Sequence, residues 1–247
     1  MHTPAEVLAA LLADDATRPA VTFYDDTPGP TFGERIELSR KVLGTWVAKA
    51  ANALQEGFDV EPGSVVRLDL PAPHWRLTYW ALAVWAVGAT VTLDAHEGAD
   101  VLVTSDPDST AAEDADEVIA VALPALARSF GADLRSGVMD EAREIASYGD
   151  DFTAWDQPAH TDPGLVSGGR RTAYQDLVPP HVGPAAQRLL VTSCDPGTML
   201  RQVLQVWGGL GSVVLVHGGT PQPDDERMRS EGVDGLAPDV PPQPAAD

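Results

Sequence analysis

The sequence predicts an α/β fold with a mainly parallel sheet flanked by helices, and two local patterns carry that reading. In the first, Val65 to Leu70 is a mostly apolar strand, Trp75 to Val87 a hydrophobic helix preceded by Pro73, and Thr90 to Leu93 a second strand. In the second, the strand Leu189 to Thr192 leads through an Asp195-Pro196 helix start into the apolar run Met199 to Trp207, then into Val213 to Val216. A strand-helix-strand order closes most readily as a right-handed crossover between parallel strands. With 247 residues and 44% hydrophobic content, the chain can bury a sizeable core.

The remaining elements follow in order. Thr3, Pro4 and Glu6 supply the N-cap hydroxyl, first-position proline and third-position glutamate of a capping box, so the N-terminus reads as a helix and not as a secretory leader. Ala20 to Tyr24 and Arg35 to Leu38 are extended runs on either side of the turn-rich Asp25 to Gly33, which predicts a hairpin. Ser39 caps a helix to about Gln55, with Leu43, Trp46, Val47, Ala50 and Leu54 on one stripe and Gly57 at its end. Gly88 stops the Trp75 to Val87 helix. That apolar stretch is well short of the roughly 20 residues that span a bilayer.

Further strands are expected at Val101 to Thr104 and Val118 to Leu123, and the acidic Asp106 to Glu117 between them reads as a loop. A polar helix is expected over Met139 to Ser147. The Gly, Pro and Asp-rich stretch 149–169 is a candidate internal boundary within a domain spanning residues 1–217. The Pro, Gly and acid-rich segment 218–247 reads as a disordered tail.

Composition narrows the function. Thirty-seven acidic against 16 basic side chains give a formal charge of -21, which repels phosphate backbones and anionic headgroups, so neither nucleic acid nor a membrane is an expected partner. Cys194 is the single cysteine, so no intrachain disulfide forms, and a cytoplasmic location is expected.

From Arg18 to Asp94 the order of elements resembles the N-terminal subdomain of the adenylate-forming superfamily, which includes acyl-CoA synthetases and peptide-synthetase adenylation domains. The resemblance rests on the strand Arg18-Pro19-Ala20-Val21, the helix Leu38 to Leu54 and the turn Glu61-Pro62-Gly63-Ser64. It continues in the buried helix ending at Gly88-Ala89, the strand to Leu93, and Asp94. Ala99 to Ser105 resembles the family's next strand, with the helix usually found before it shortened away. Leu189 to Val216 looks like the segment behind the nucleotide site. The chain also resembles a subgroup of shortened acyl-CoA-synthetase-like proteins of unknown activity.

The resemblance implies ATP-dependent activation of a carboxylate. That chemistry needs a Ser/Thr/Gly loop with a lysine around the phosphates and a late lysine at the reacting phosphate. At the loop position this chain reads Asp162-Pro163-Gly164-Leu165-Val166-Ser167-Gly168-Gly169-Arg170-Arg171, without the threonine run or the lysine. Ser167, Gly168 and Gly169 can form a residual anion nest with Arg170 and Arg171 as counter-charges, which would make ATP or AMP a candidate ligand. The commoner use of such a sequence is a hairpin turn with two exposed arginines. Only Lys41 and Lys49 occur, both on the early helix, and the family's late lysine and C-terminal segments have no counterpart. The expectation is a pseudoenzyme with a degenerate phosphate loop and no catalytic residues, acting by ligand or partner binding. The alternative is one half of a split adenylate-forming ligase completed by a partner chain. A homodimer or protein partner is expected to cover the truncated face.

Other constellations carry less. The histidines at 2, 74, 96, 160, 181 and 217 show no paired metal-ligand spacing, and Asp94, His96 and Glu97 read as a solvated turn. Ser167 lacks a nucleophile-elbow context. Gly209-Leu210-Gly211 follows a helix and reads as a C-cap turn. Cys194 reads as a core or loop cysteine, and the tryptophans at 46, 75, 80 and 85 as packing residues.

Overall fold

The structure, a computed structural model, describes residues 3–95, 98–219, 221–223 and 225–240. In chain order it contains α1 (Pro4–Asp15), β1 (Pro19–Asp25), β2 (Arg35–Ser39), α2 (Arg40–Asn52), β3 (Val65–Asp69), α3 (Trp75–Ala86) and β4 (Thr90–Thr92). There follow β5 (Val101–Thr104), α4 (Thr110–Glu113), β6 (Glu117–Ala120), β7 (Val138–Asp140), α5 (Glu141–Glu144), β8 (Pro163–Ser167) and β9 (Arg170–Ala173). The chain closes with β10 (Arg188–Val191), α6 (Pro196–Gly208), β11 (Ser212–His217), α7 (Glu226–Ser230) and β12 (Gly235–Leu236).

These elements form two compact units, one of residues 3–44, 71–78 and 175–240, the other of residues 45–70 and 79–174. The chain passes between the units inside α2, after β3, inside α3 and after residue 174.

The first unit holds a five-stranded sheet in the order β12-β10-β11-β1-β2, parallel except for the β1–β2 hairpin. On one face Leu190, Val214, Val216 and Met228 pack together with Tyr24 and Val233. Asp195 caps α6 by accepting the Thr198 N–H at 2.8 Å, with Pro196 in the first turn, as the sequence predicts. The capping box of α1 also forms, Thr3 and Glu6 exchanging side-chain to backbone hydrogen bonds. The segment after Gly218, expected to be a tail, carries α7 and β12. Met228 is fully buried and β12 pairs with β10, so a few apolar residues dock a segment whose overall composition is polar. Residues 241–247 lie outside the described residues.

The second unit holds a seven-stranded sheet in the order β7-β6-β5-β3-β4-β8-β9, parallel except for the antiparallel edge strand β9. Two expectations are corrected here. The acidic segment 106–117 contains α4, because Ser109 caps it and Ala112 inserts between Leu102 and Val118. The polar helix expected from Met139 begins later. Val138 and Met139 pair with Val118 and Ile119 as strand β7, and only Glu141–Glu144 is α-helical before a 3-10 turn. The stretch after Gly149 lacks regular structure, and side chains at the end of α2 and in the turn just after it serve its backbone. Asn52 donates to the carbonyls of Gly149 and Asp151 at 3.1 and 2.9 Å, and Gln55 to that of Thr153 at 3.2 Å. The part of helix α3 in this unit is apolar around most of its surface and correspondingly buried, Trp80 and Val84 among its residues.

Candidate functional site

The segment singled out by the sequence is the tip of the β8–β9 hairpin. Ser167 and Arg170 are paired across it, leaving a two-residue turn in which Gly168 and Gly169 have φ of +59° and +72°. Two consecutive positive φ values define the tight turn whose twist suits a hairpin, and glycine adopts them without strain. No atom would obstruct a Cβ at either position within 4 Å, so the requirement for glycine is conformational, not steric.

Both turn amides point at one carboxylate. Gly168 N–H donates to Asp94 Oδ1 and Gly169 N–H to Asp94 Oδ2, each at 2.7 Å. Asp94 reaches them because β4 and β8 are parallel neighbours whose carboxyl ends lie side by side, the pairing extended by Leu93 N–H to the Val166 carbonyl at 2.9 Å. The Asp94 amide is itself held by Thr92 Oγ1 at 3.3 Å. The turn thus grips an anion, and that anion is a side chain of the same unit.

The other predicted residues divide. Ser167 is half-buried in the turn, whereas Arg170 and Arg171 are exposed on the outgoing strand. Successive strand residues face opposite sides, so the two guanidinium groups do not flank a single ligand. Arg171 lines a cavity of about 240 Å³ with Pro62, Gly88, Thr90 and Asp162. Of the two lysines, Lys41 is exposed on α2. Lys49 donates to the carbonyls of Ala146 and Tyr148 at 3.2 and 2.6 Å and pairs with Asp150 at 2.7 Å.

His96 and Glu97 lie outside the described residues, and so does the turn expected to contain them. Among the described residues no group of three or more His, Cys, Asp or Glu is placed to hold a metal ion. Cys194 is exposed in the loop before α6. Trp75, Trp80 and Trp85 are buried on α3, Trp85 donating to the Gly164 carbonyl at 2.6 Å, and Trp46 packs on Tyr79 with ring centroids 5.5 Å apart. No described helix is long and apolar enough to cross a membrane.

Two groups carry no local signal in the sequence. Nothing in the neighbourhood of Asp94 announces a partner 74 residues away. His74 is buried beside Phe23, its ring centroid 4.4 Å away. Its Nδ1 accepts the Arg76 N–H at 3.1 Å. Burial, reinforced by the positive charge of Arg76 and by His217, pushes its pKa down to about 3.

With this geometry established, the likenesses to known proteins fall into place. No family model matches the sequence. The fold is that of a Brucella canis acyl-CoA synthetase, with a TM-score of 0.68 and 18% identity over 95% of this chain and 47% of that one. Acetoacetyl-CoA synthetase from Streptomyces lividans gives 0.67 and 19% over 93% and 41%. The N-terminal subdomain of NpsA from Klebsiella oxytoca, solved with 3-hydroxybenzoyl-AMSN, gives 0.64 and 14% over 94% and 58%. The chain therefore spans about half the length of the solved proteins whose fold it shares. It spans nearly all of a Mycobacterium tuberculosis (strain ATCC 25618 / H37Rv) protein described as a TIGR03089 family protein, 31% identical over 240 residues, 92% of this chain and 94% of that one. At that identity and coverage, the chain belongs to the TIGR03089 family.

Proposed function

We propose that this protein is a cytoplasmic, acyl-CoA synthetase-like member of the adenylate-forming superfamily that has lost independent catalysis and acts by binding a ligand or a partner chain. The observation that carries this reading is the disposition of its lysines. The resemblance to the adenylate-forming superfamily implies a lysine for the charge that develops on the transferring phosphoryl group. The chain has two lysines, and Lys49 is spent on two backbone carbonyls and Asp150. Lys41 is exposed on α2, and both lysines precede residue 50, far in sequence from the β8–β9 turn. The turn amides are likewise already engaged by Asp94.

The test is pyrophosphate exchange on the purified full chain with ATP and a panel of carboxylic acids. No exchange above background is expected, and robust exchange overturns the reading. Exchange that appears only when a co-purifying chain is added would identify the protein as one half of a split ligase. Light scattering addresses the partner component: concentration-dependent dimerisation or a stable complex supports it, and a monomer at every concentration without any co-purifying chain counts against it.

A further inference from the structure

We propose that the Gly168–Gly169 turn is an anion cradle held shut by Asp94, and that a phosphoryl oxyanion enters it only by displacing that carboxylate. The inference rests on the reading of this hairpin as a residual anion loop and adds how the loop is controlled. Two convergent amides in the left-handed region each hold a separate oxygen of one group at 2.7 Å. Such a pair of charge-assisted bonds suits any ligand presenting two oxygens from one centre, and a pyrophosphate or nucleotide phosphate does so as well as a carboxylate. The approach is open. Gly168, Gly169 and Arg170 are exposed, and the Arg170 side chain makes no ion pair or hydrogen bond among the described residues.

What prevents entry is the occupant. An incoming phosphate meets Asp94 at contact distance in a chain already carrying a charge of -21, and like charges so juxtaposed oppose binding strongly. The latch is also separable from the sheet. The last backbone bond in this part of the ladder belongs to Leu93, so the Asp94 side chain can rotate away without breaking a strand pair.

Asp94→Asn tests the proposal, because the amide keeps one oxygen to accept a turn N–H while losing the charge. Full-length wild type and D94N would be titrated with inorganic pyrophosphate, ATP and AMP by calorimetry, with the Gly168 and Gly169 amide resonances followed by NMR. D94N is expected to bind pyrophosphate at least about tenfold more tightly than wild type, with both glycine resonances moving. Arg170→Ala in the D94N background is expected to remove most of that gain. Tighter ATP binding without a pyrophosphate effect, equal affinities, or a gain that leaves both glycine amides unmoved would each overturn the latch. Should D94N not fold, Asp94→Ser supplies a neutral acceptor under the same criteria. The non-catalytic reading fails separately, on exchange activity, which none of these titrations measures.

Discussion

The guanidinium of Arg40 donates to the backbone carbonyl of Leu210 at 2.6 Å, tying the start of α2 to the turn after α6. The side chain is 1% exposed and also reaches the Leu11 and Asp15 carbonyls at 3.2 and 3.4 Å and Asp14 at 2.6 Å. Arg40→Met should lower unfolding free energy by about 2–4 kcal/mol, because buried carbonyls lose their donor. Asp14→Asn should cost less than about 1 kcal/mol, since that carboxylate is well solvated. Urea denaturation of the two variants checks the contrast, and equal losses would refute it.

Glu231 fastens the segment after Gly218. It accepts from Arg35 at 2.9 and 3.0 Å, from Arg188 at 2.7 Å and from the Tyr24 hydroxyl. Arg35, aided by Tyr24 and Arg188, holds its pKa down to about 2 against the burial that opposes it. A carboxylate so depressed stabilises the fold fully above its ordinary pKa near 4.5, and the contribution is lost as pH falls towards 2. Glu231→Gln should flatten the stability loss in that window. At neutral pH it should cost about 1–2 kcal/mol and raise the rate of limited proteolysis after Gly218 several-fold.

His74 should impose a pH dependence of its own. Its pKa of about 3 in the folded chain lies below the ordinary 6.5, so the unfolded chain binds the extra proton between those values. Stability therefore falls as pH drops from 6.5 towards 3, by up to about 1.4 kcal/mol per pH unit from this group. His74→Asn keeps an acceptor for the Arg76 N–H, and it should reduce the slope of urea midpoint against pH between 6.5 and 5. An unchanged slope would show that His74 is not the titrating group.

Cys194 is exposed and is the chain's single cysteine. A disulfide-exchange reagent should titrate one thiol per chain in buffer without denaturant, and Cys194→Ser should abolish the signal with no change in thermal midpoint. A thiol that reacts only after unfolding would contradict the exposed position before α6.

Much of this architecture is legible in the sequence because its signals are local. The Thr3 capping box, the Asp195-Pro196 start of α6 and the two strand-helix-strand units all depend on neighbours within a few turns of chain. The misread elements are those decided by distant partners. Val138 and Met139 become a strand only because β6 offers them an edge, and Met228 anchors a polar segment only because Leu190 and Val214 are there to receive it. The candidate site divides in the same way. The turn at Gly168-Gly169 can be read from its glycines, whereas the carboxylate that fills it comes from the end of another strand.

Helices α2 and α3 each begin in one unit and finish in the other. Neither unit is therefore one continuous stretch of chain, and no single cut releases either one intact. Each of these helices is shared chain, so a helix-breaking change within either one acts on both units at once.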